Sequence, residues 1–240
     1  MRVHLFIPCL VEDFFPEIGE ATALTISKAG CELVYPEGQT CCGQPLYKIG
    51  QREAAAKTAR RWLELFQDAE CVVAPSGSCV SMVRRYSSLF EQAPALRAKA
   101  REIAARTYEL SEFLVRKLGV VDLGASLNGR VAYHDSCQIG RALGLADPPR
   151  ALLKAVRGLT LLELRRPEAC CGFGGAFSAE FPEIASAVLE DKIADIEATT
   201  PDYLACAEVS CLMHIRGGLE KKGSTIRALH LAQILAGQPS

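Results

Sequence analysis

The tripeptide Cys-Cys-Gly occurs twice, as Cys41-Cys42-Gly43 and Cys170-Cys171-Gly172, and each copy is flanked by one cysteine far upstream and one far downstream. In the first half Cys9 precedes the pair by 32 residues and Cys79 follows it by 37; in the second, Cys137 precedes it by 33 and Cys211 follows it by 40. The first cysteines of the two sets are 128 residues apart. Two sets of four thiols on nearly one template point to an internal duplication, in which each half gathers its own quartet. The length of 240 residues suits two similar lobes, and the glycine-punctuated stretch around 120–129 marks the seam, giving lobes 1–122 and 123–240.

The chain carries eleven cysteines, an odd number, so no scheme of intramolecular disulfides uses them all. The apolar run Val3 to Val11 is preceded only by Arg2, ends at Glu12 and Asp13, and lacks a small-residue cleavage pattern. Together these features predict a cytoplasmic, reducing setting in which abundant cysteine serves metal or redox chemistry. A net charge of −1 gives no long-range pull on nucleic acid or an anionic membrane face. No segment reaches the roughly 18 uninterrupted apolar residues of a membrane span, so direct membrane insertion is not expected.

Along the chain, Arg2 to Pro8 reads as a strand with Cys9 just beyond its end, followed by a helix after Pro16 that closes at Gly30. Cys31 to Tyr35 is a second strand; Glu53 to Phe66 is helical; Cys71 to Ala74 is a buried strand; Cys79 stands in a loop leading into a helix. The second half repeats the order, with a strand at 129–133, a helix at 148–156, a strand at 159–164, one helix over 178–197, a strand at 202–206, and Cys211 opening the next helix. Alternating strands and helices predict an α/β fold of two similar lobes, each a parallel sheet flanked by helices. In such sheets ligand sites lie beyond the carboxyl ends of the strands, where the thiols of each half can meet on one rim.

Four soft thiolates per site suit an iron–sulfur cluster. Adjacent cysteines reach one small ion only with strain, whereas a multi-iron cluster spreads its irons so that neighbours meet different corners. The predicted metal ligands are Cys9, Cys41, Cys42 and Cys79 for one centre and Cys137, Cys170, Cys171 and Cys211 for the other. Gly43 and Gly172 would contribute to cofactor binding by permitting a backbone conformation, or an approach to the cluster, that a side chain would block. Structural zinc is the chief rival, although neither half contains the C-x-x-C usual in zinc loops. Cys31, Cys71 and Cys206 read as core residues, Cys206 with a spare-ligand alternative. His134, Asp135 and His214 are open between a ligand-orienting and a structural role. Arg141, Arg52 and Lys48 are candidates to meet a carboxylate, with surface ion pairing as the alternative. The run Gly172 to Phe177 lacks a dinucleotide fingerprint and reads as packing around a cluster.

Ile7-Pro-Cys-Leu10, Tyr35-Pro36 with Gln39-Thr-Cys-Cys-Gly-Gln-Pro45, His134-Asp-Ser-Cys137, Cys170-Cys-Gly-Phe-Gly-Gly175 and Ser210-Cys-Leu-Met-His-Ile215 together resemble the cysteine-rich CCG-domain family of iron–sulfur proteins, and within it the lactate utilization protein A branch. Related modules occur in the iron–sulfur subunit of glycolate oxidase and in one of the subunits of heterodisulfide reductase. The resemblance implies an iron–sulfur cluster, [4Fe-4S] in type, in each lobe, and electron transfer or catalysis within a complex that oxidises a 2-hydroxy acid, L-lactate to pyruvate. It implies as partners an iron–sulfur subunit with ferredoxin-type clusters and a smaller third subunit. A thiol–disulfide reductase subunit and a zinc-binding scaffold are the alternatives. One departure weighs against direct transfer of disulfide chemistry: the reductase relatives place a fifth cysteine three positions before the last, where this chain has Ser76 and Glu208.

Overall fold

The structure, a computed structural model, describes residues 1–237. The first lobe runs β1 (Arg2–Leu5), α1 (Cys9–Phe14), α2 (Pro16–Lys28), β2 (Glu32–Val34), α3 (Gln44–Lys48), α4 (Arg52–Leu65), β3 (Val72–Ala74), α5 (Gly77–Arg85), α6 (Pro94–Ala105), β4 (Thr107–Glu109) and α7 (Leu110–Glu112), which a π-helical turn continues to Lys117. The second runs β5 (Ser126–His134), α8 (Asp147–Ala155), β6 (Arg157–Leu162), α9 (Ala176–Glu180), α10 (Pro182–Thr199), β7 (Tyr203–Cys206), α11 (Val209–Lys221), β8 (Arg227–His230) and α12 (Leu231–Ala236). The connector 118–125 carries neither helix nor strand.

Each lobe has one four-stranded parallel sheet, ordered β2-β1-β3-β4 and β6-β5-β7-β8, so the two are the same sheet built twice. The expected two-lobe α/β architecture is present. Central strands such as Val72-Val73-Ala74 are buried throughout, as a parallel sheet covered on both faces requires. Helix α2 shows how local sequence meets packing: Pro16 supplies a pre-set first turn, Ile18, Ala21, Thr22, Thr25 and Ile26 form the buried stripe, and Gly30 at φ +79° lets the chain leave.

Two expectations need correction. The single helix over 178–197 is two, because Pro182 is excluded from a helix interior and instead begins α10 after the break at Phe181. The strand expected over 159–164 is displaced to 157–162, where it pairs with β5.

The lobes interlock. Helix α12 of the second lobe packs on α2 of the first, with the Thr25 hydroxyl donating to the Ala232 carbonyl (3.4 Å) and the Lys28 ammonium to that of Ala236 (2.9 Å). Reciprocally, α7 and its π turn pack on α8. One hydrophobic core accordingly runs through both lobes, while a second, with Trp62 at its centre, fills the remaining face of the first sheet. Trp62 stacks against Phe6, Phe66 and Tyr86 with ring centroids 5.5, 4.5 and 5.6 Å away.

Candidate metal centre

All eight cysteines of the two quartets line one cavity of about 320 Å³ between the lobes. They arrive there from equivalent places. Cys9 opens α1 beyond β1, Cys137 follows β5, and the paired cysteines lie in the loops after β2 and β6. Cys79 and Cys211 stand at the third residue of α5 and α11, so Cys79 lies just inside a helix rather than in the loop before it. The positive end of a helix dipole therefore faces the cavity from each lobe.

Side chains fasten the first Cys-Cys-Gly loop. The Gln39 amide accepts from the Ile7 N–H and donates to the Leu5 carbonyl, both at 2.9 Å, which extends the end of β1 and holds the loop beside Cys9. The Tyr86 hydroxyl donates to the Cys42 carbonyl at 2.7 Å, and the Gln44 amide to that of Ser78 at 3.0 Å. In the second lobe the fully buried Lys192 donates to the carbonyls of Arg166 and Pro167 (3.0 and 3.4 Å), fixing the loop that leads to Cys170. Periodicity gave no sign of these supports; Gln39 and Gln44 flank the first cysteine pair in sequence, which was the available signal.

Gly43 and Gly172 both have positive φ, +81° and +90°, and each turns its N–H back onto the first sulfur of its own motif: Gly43 to Cys41 Sγ at 3.4 Å, Gly172 to Cys170 Sγ at 3.3 Å. Neither lines the cavity; the glycines that do are Gly174 and Gly175. Of the three cations considered for a carboxylate, only Lys48 reaches the cavity. Arg52 lies over the Tyr47 ring at 5.4 Å and Arg141 is exposed on the turn after Cys137.

All eleven cysteines are free thiols. Within the first quartet Cys41 is driven down to about 3, chiefly by hydrogen bonds from Cys42 and Cys9, with burial opposing and the Gly43 N–H assisting. Cys9 and Cys42 are pushed up in exchange, by the same hydrogen bonds to Cys41 and by burial. In the second quartet Cys171 is the sulfur held as thiolate, by Cys170 and Cys211, and these two are pushed up. Cys171 and Cys211 lie 3.2 Å apart, Sγ to Sγ. Burial and mutual contact thus favour the thiolate at Cys41 and at Cys171 and disfavour it at the thiols that donate to them. Four thiolates can coexist there only if cationic charge sits among them, since like charges at contact raise one another's pKa. The donor sets therefore fit a thiolate-bound metal centre.

Outside the quartets, Cys71 packs in the core and Cys31, partly buried, packs against it, and burial pushes Cys71 up to about 12. Cys206 is fully buried with its sulfur turned to the Glu208 backbone. Asp135 is committed to the Arg150 guanidinium at 3.1 and 2.7 Å, a structural role. His214 stacks edge-on against Phe173 at 5.9 Å. Ser76 and Glu208, the positions where a fifth cysteine is missing, meet across the lobes in an antiparallel bridge. The Glu208 carboxylate is buried and accepts from the Ser78 N–H at 2.6 Å and from the hydroxyls of Ser78, Ser76 and Ser210 at 3.0, 3.3 and 3.1 Å.

Residues 3–84 and 131–216 each match the cysteine-rich CCG domain, one copy per lobe. Lactate utilization protein A from Shouchella clausii is 44% identical over 98% of this chain and 98% of its own length; those from Geobacillus kaustophilus and Bacillus subtilis are each 43% identical, with 98% of this chain and 98% and 99% of their own covered. The chain belongs to the lactate utilization protein A family. A solved structure described as a hypothetical protein from Helicobacter pylori superposes with a TM-score of 0.62 at 12% identity, over 98% of this chain and 48% of that one, a likeness of fold alone. The chain thus spans about half the length of that structure. Membership of the lactate utilization protein A family, the cysteine-rich domain and the eleven cysteines together point to iron–sulfur binding. Among the described residues, no helix is long and apolar enough to cross a membrane.

Proposed function

We propose that this chain is the iron–sulfur electron-transfer or catalytic subunit of a complex that oxidises a 2-hydroxy acid, L-lactate to pyruvate, in the cytoplasm. The observation that carries the reading is the convergence of eight thiols, in two sets of four, on one cavity between duplicated lobes. Relatives named for lactate utilization support the substrate. Residues 1–122 and 123–240 form the two CCG lobes. Cys9, Cys41, Cys42 and Cys79 hold one cluster, and Cys137, Cys170, Cys171 and Cys211 the other, both of the [4Fe-4S] type.

Such clusters supply one-electron transfer at potentials set by sulfur hydrogen bonding and burial. The residues of this chain govern those settings. The Gly43 and Gly172 amides hydrogen bond ligand sulfur, and the helix dipoles of α5 and α11 favour the anionic donors. Lys48 brings positive charge to the cavity, where a small carboxylate can be held. Cys170 is exposed at the surface, which gives the second site an outlet for electrons toward a partner. An iron–sulfur subunit with ferredoxin-type clusters and a smaller third subunit complete the system.

Anaerobic quantitation of iron and acid-labile sulfide, with electron paramagnetic resonance on the wild type and on Cys42→Ser and Cys171→Ser, tests the ligand assignment. Each substitution is expected to remove about half of the iron and one signal. Zinc without iron and sulfide would end the redox reading, and two unaffected variants would end the ligand assignment. The shared cavity also favours a second reading, a thiol–disulfide reductase subunit, because a small disulfide placed there would touch both quartets. Anaerobic titration of the complex with lactate and with disulfides separates the two, since only the true substrate changes the redox state of the centres.

A further inference from the structure

His134 ends β5 with 1% of its surface exposed; neither ring nitrogen has a partner in full hydrogen-bond geometry, and the polar side chain that the ring meets is the thiol of Cys171. Buried polar atoms in folded proteins are paired, so an imidazole with no partner in full hydrogen-bond geometry beyond this thiol contact calls for one. The direction of that partner is readable. A ring nitrogen of His134, the sulfur of Cys171 and the sulfur of Cys211 all lie within 4.8 Å of one another, all three residues buried. Asp135, the adjacent carboxylate, is bound to Arg150 and does not orient the ring.

The first lobe provides an internal control. The residue three positions before its first cysteine is Phe6, which is buried against Trp62 and Phe66 at 5.5 and 5.7 Å and offers no donor atom. His134 occupies the same offset from Cys137. The duplication therefore preserves eight sulfurs while making the backing of the two quartets unlike: apolar in one, nitrogen-bearing in the other.

We propose that His134 is a nitrogen ligand of the second metal centre, taking one of its protein-ligand positions beside three of Cys137, Cys170, Cys171 and Cys211. This rests on the reading that the second quartet holds metal. Replacing thiolate character by neutral imidazole raises the reduction potential of an iron–sulfur centre, as in clusters with mixed histidine and cysteine ligation. The second centre is then the higher-potential member of the pair, and electrons entering the chain settle there, on the side where Cys170 meets solvent.

Protein grown with histidine labelled with ¹⁵N in the imidazole ring and reconstituted anaerobically is examined by pulsed electron paramagnetic resonance. Strong coupling to a histidine nitrogen is expected in one of the two centres, and His134→Phe and His134→Cys should abolish it. In His134→Cys the potential of that centre should fall while the other stays unchanged. A full complement of iron and sulfide with weak or no histidine coupling, or coupling that survives in His134→Phe, overturns the proposal while leaving the iron–sulfur reading intact. A second arm removes dependence on iron: cobalt(II) titrated into the metal-free protein should give ligand-field bands that differ between wild type and His134→Phe, and identical spectra overturn the proposal. A wild type that fails to retain iron and sulfide, yet shows the cobalt difference, would sink the iron–sulfur reading and support His134 as a ligand.

Discussion

Gly43 and Gly172 occupy the same place in the two motifs, yet they are unequally replaceable. At Gly43 an added Cβ would meet nothing closer than the Ala55 carbonyl and Thr58 Cβ, both at 3.5 Å, so alanine there pays only for its left-handed backbone, about 1–2 kcal/mol. At Gly172 the same Cβ would fall 2.5 Å from the Ala185 carbonyl oxygen in α10, and the helix must move. Overpacking adds about 1–3 kcal/mol to the backbone strain. Urea unfolding of the metal-free variants should therefore find Gly172→Ala less stable than Gly43→Ala by about that amount; equal midpoints would show that α10 yields freely. The glycines of the two motifs were readable as necessary, but their different neighbours were not, because sequence spacing reports nothing of the helix that packs behind the second loop.

At the scale of elements, each lobe ends in a short strand that passes directly into a helix through a buried titratable cap, Glu109 before α7 and His230 before α12. Glu109 accepts from the N–H groups of Ser111 (2.8 Å) and Glu112 (3.3 Å) and from the Ser111 hydroxyl, but burial outweighs these bonds and raises it to about 7. Its carboxyl holds a proton in the folded chain that an unfolded one gives up near 4.5. The contribution to stability is therefore complete below pH 4.5 and lost as pH rises through 7, and over that interval it is of order 3 kcal/mol. Glu109→Gln, which keeps an accepting oxygen and cannot ionise, should flatten the pH dependence of unfolding between 4.5 and 7 relative to the wild type; parallel curves would refute the burial argument. These caps, with β4 and β8 themselves, escaped the reading of the sequence. Three and four residues are too few to show a period of two, and Thr107-Tyr-Glu109 and Arg227-Ala-Leu-His230 carry no apolar run to mark them. Longer elements with a clear stripe, such as α2 and α4, were legible to within a few residues.

For the whole molecule, the spacing of cysteines indicated which thiols gather within a half, but not how one half faces the other. The shared cavity is a property of the interface, and the interface is made of residues with no pattern of their own. Gly77 illustrates it: a Cβ there would lie 2.2 Å from Ile139 Cδ1 of the other lobe, so close approach needs glycine at that point. Beside it, Glu208 fastens the start of α5 from across the boundary while capping its own helix α11 through the Ser210 N–H. Removing that carboxyl group leaves the buried Ser78 N–H without its acceptor while the Ser76 and Ser78 hydroxyls keep each other, a loss of about 1–3 kcal/mol for a buried donor left unpaired. Glu208→Ala is thus expected to lower the unfolding midpoint of the metal-free protein. It should also speed hydrogen exchange at the Ser78 amide while leaving the amides of β6, on the far edge of the second sheet, unchanged. Exchange at Ser78 as slow as in the wild type would mean that the other contacts between the lobes, α12 on α2, α7 on α8 and α5 on the turn at Ile139, hold them without it, and that the buried carboxyl between the quartets is not what joins them.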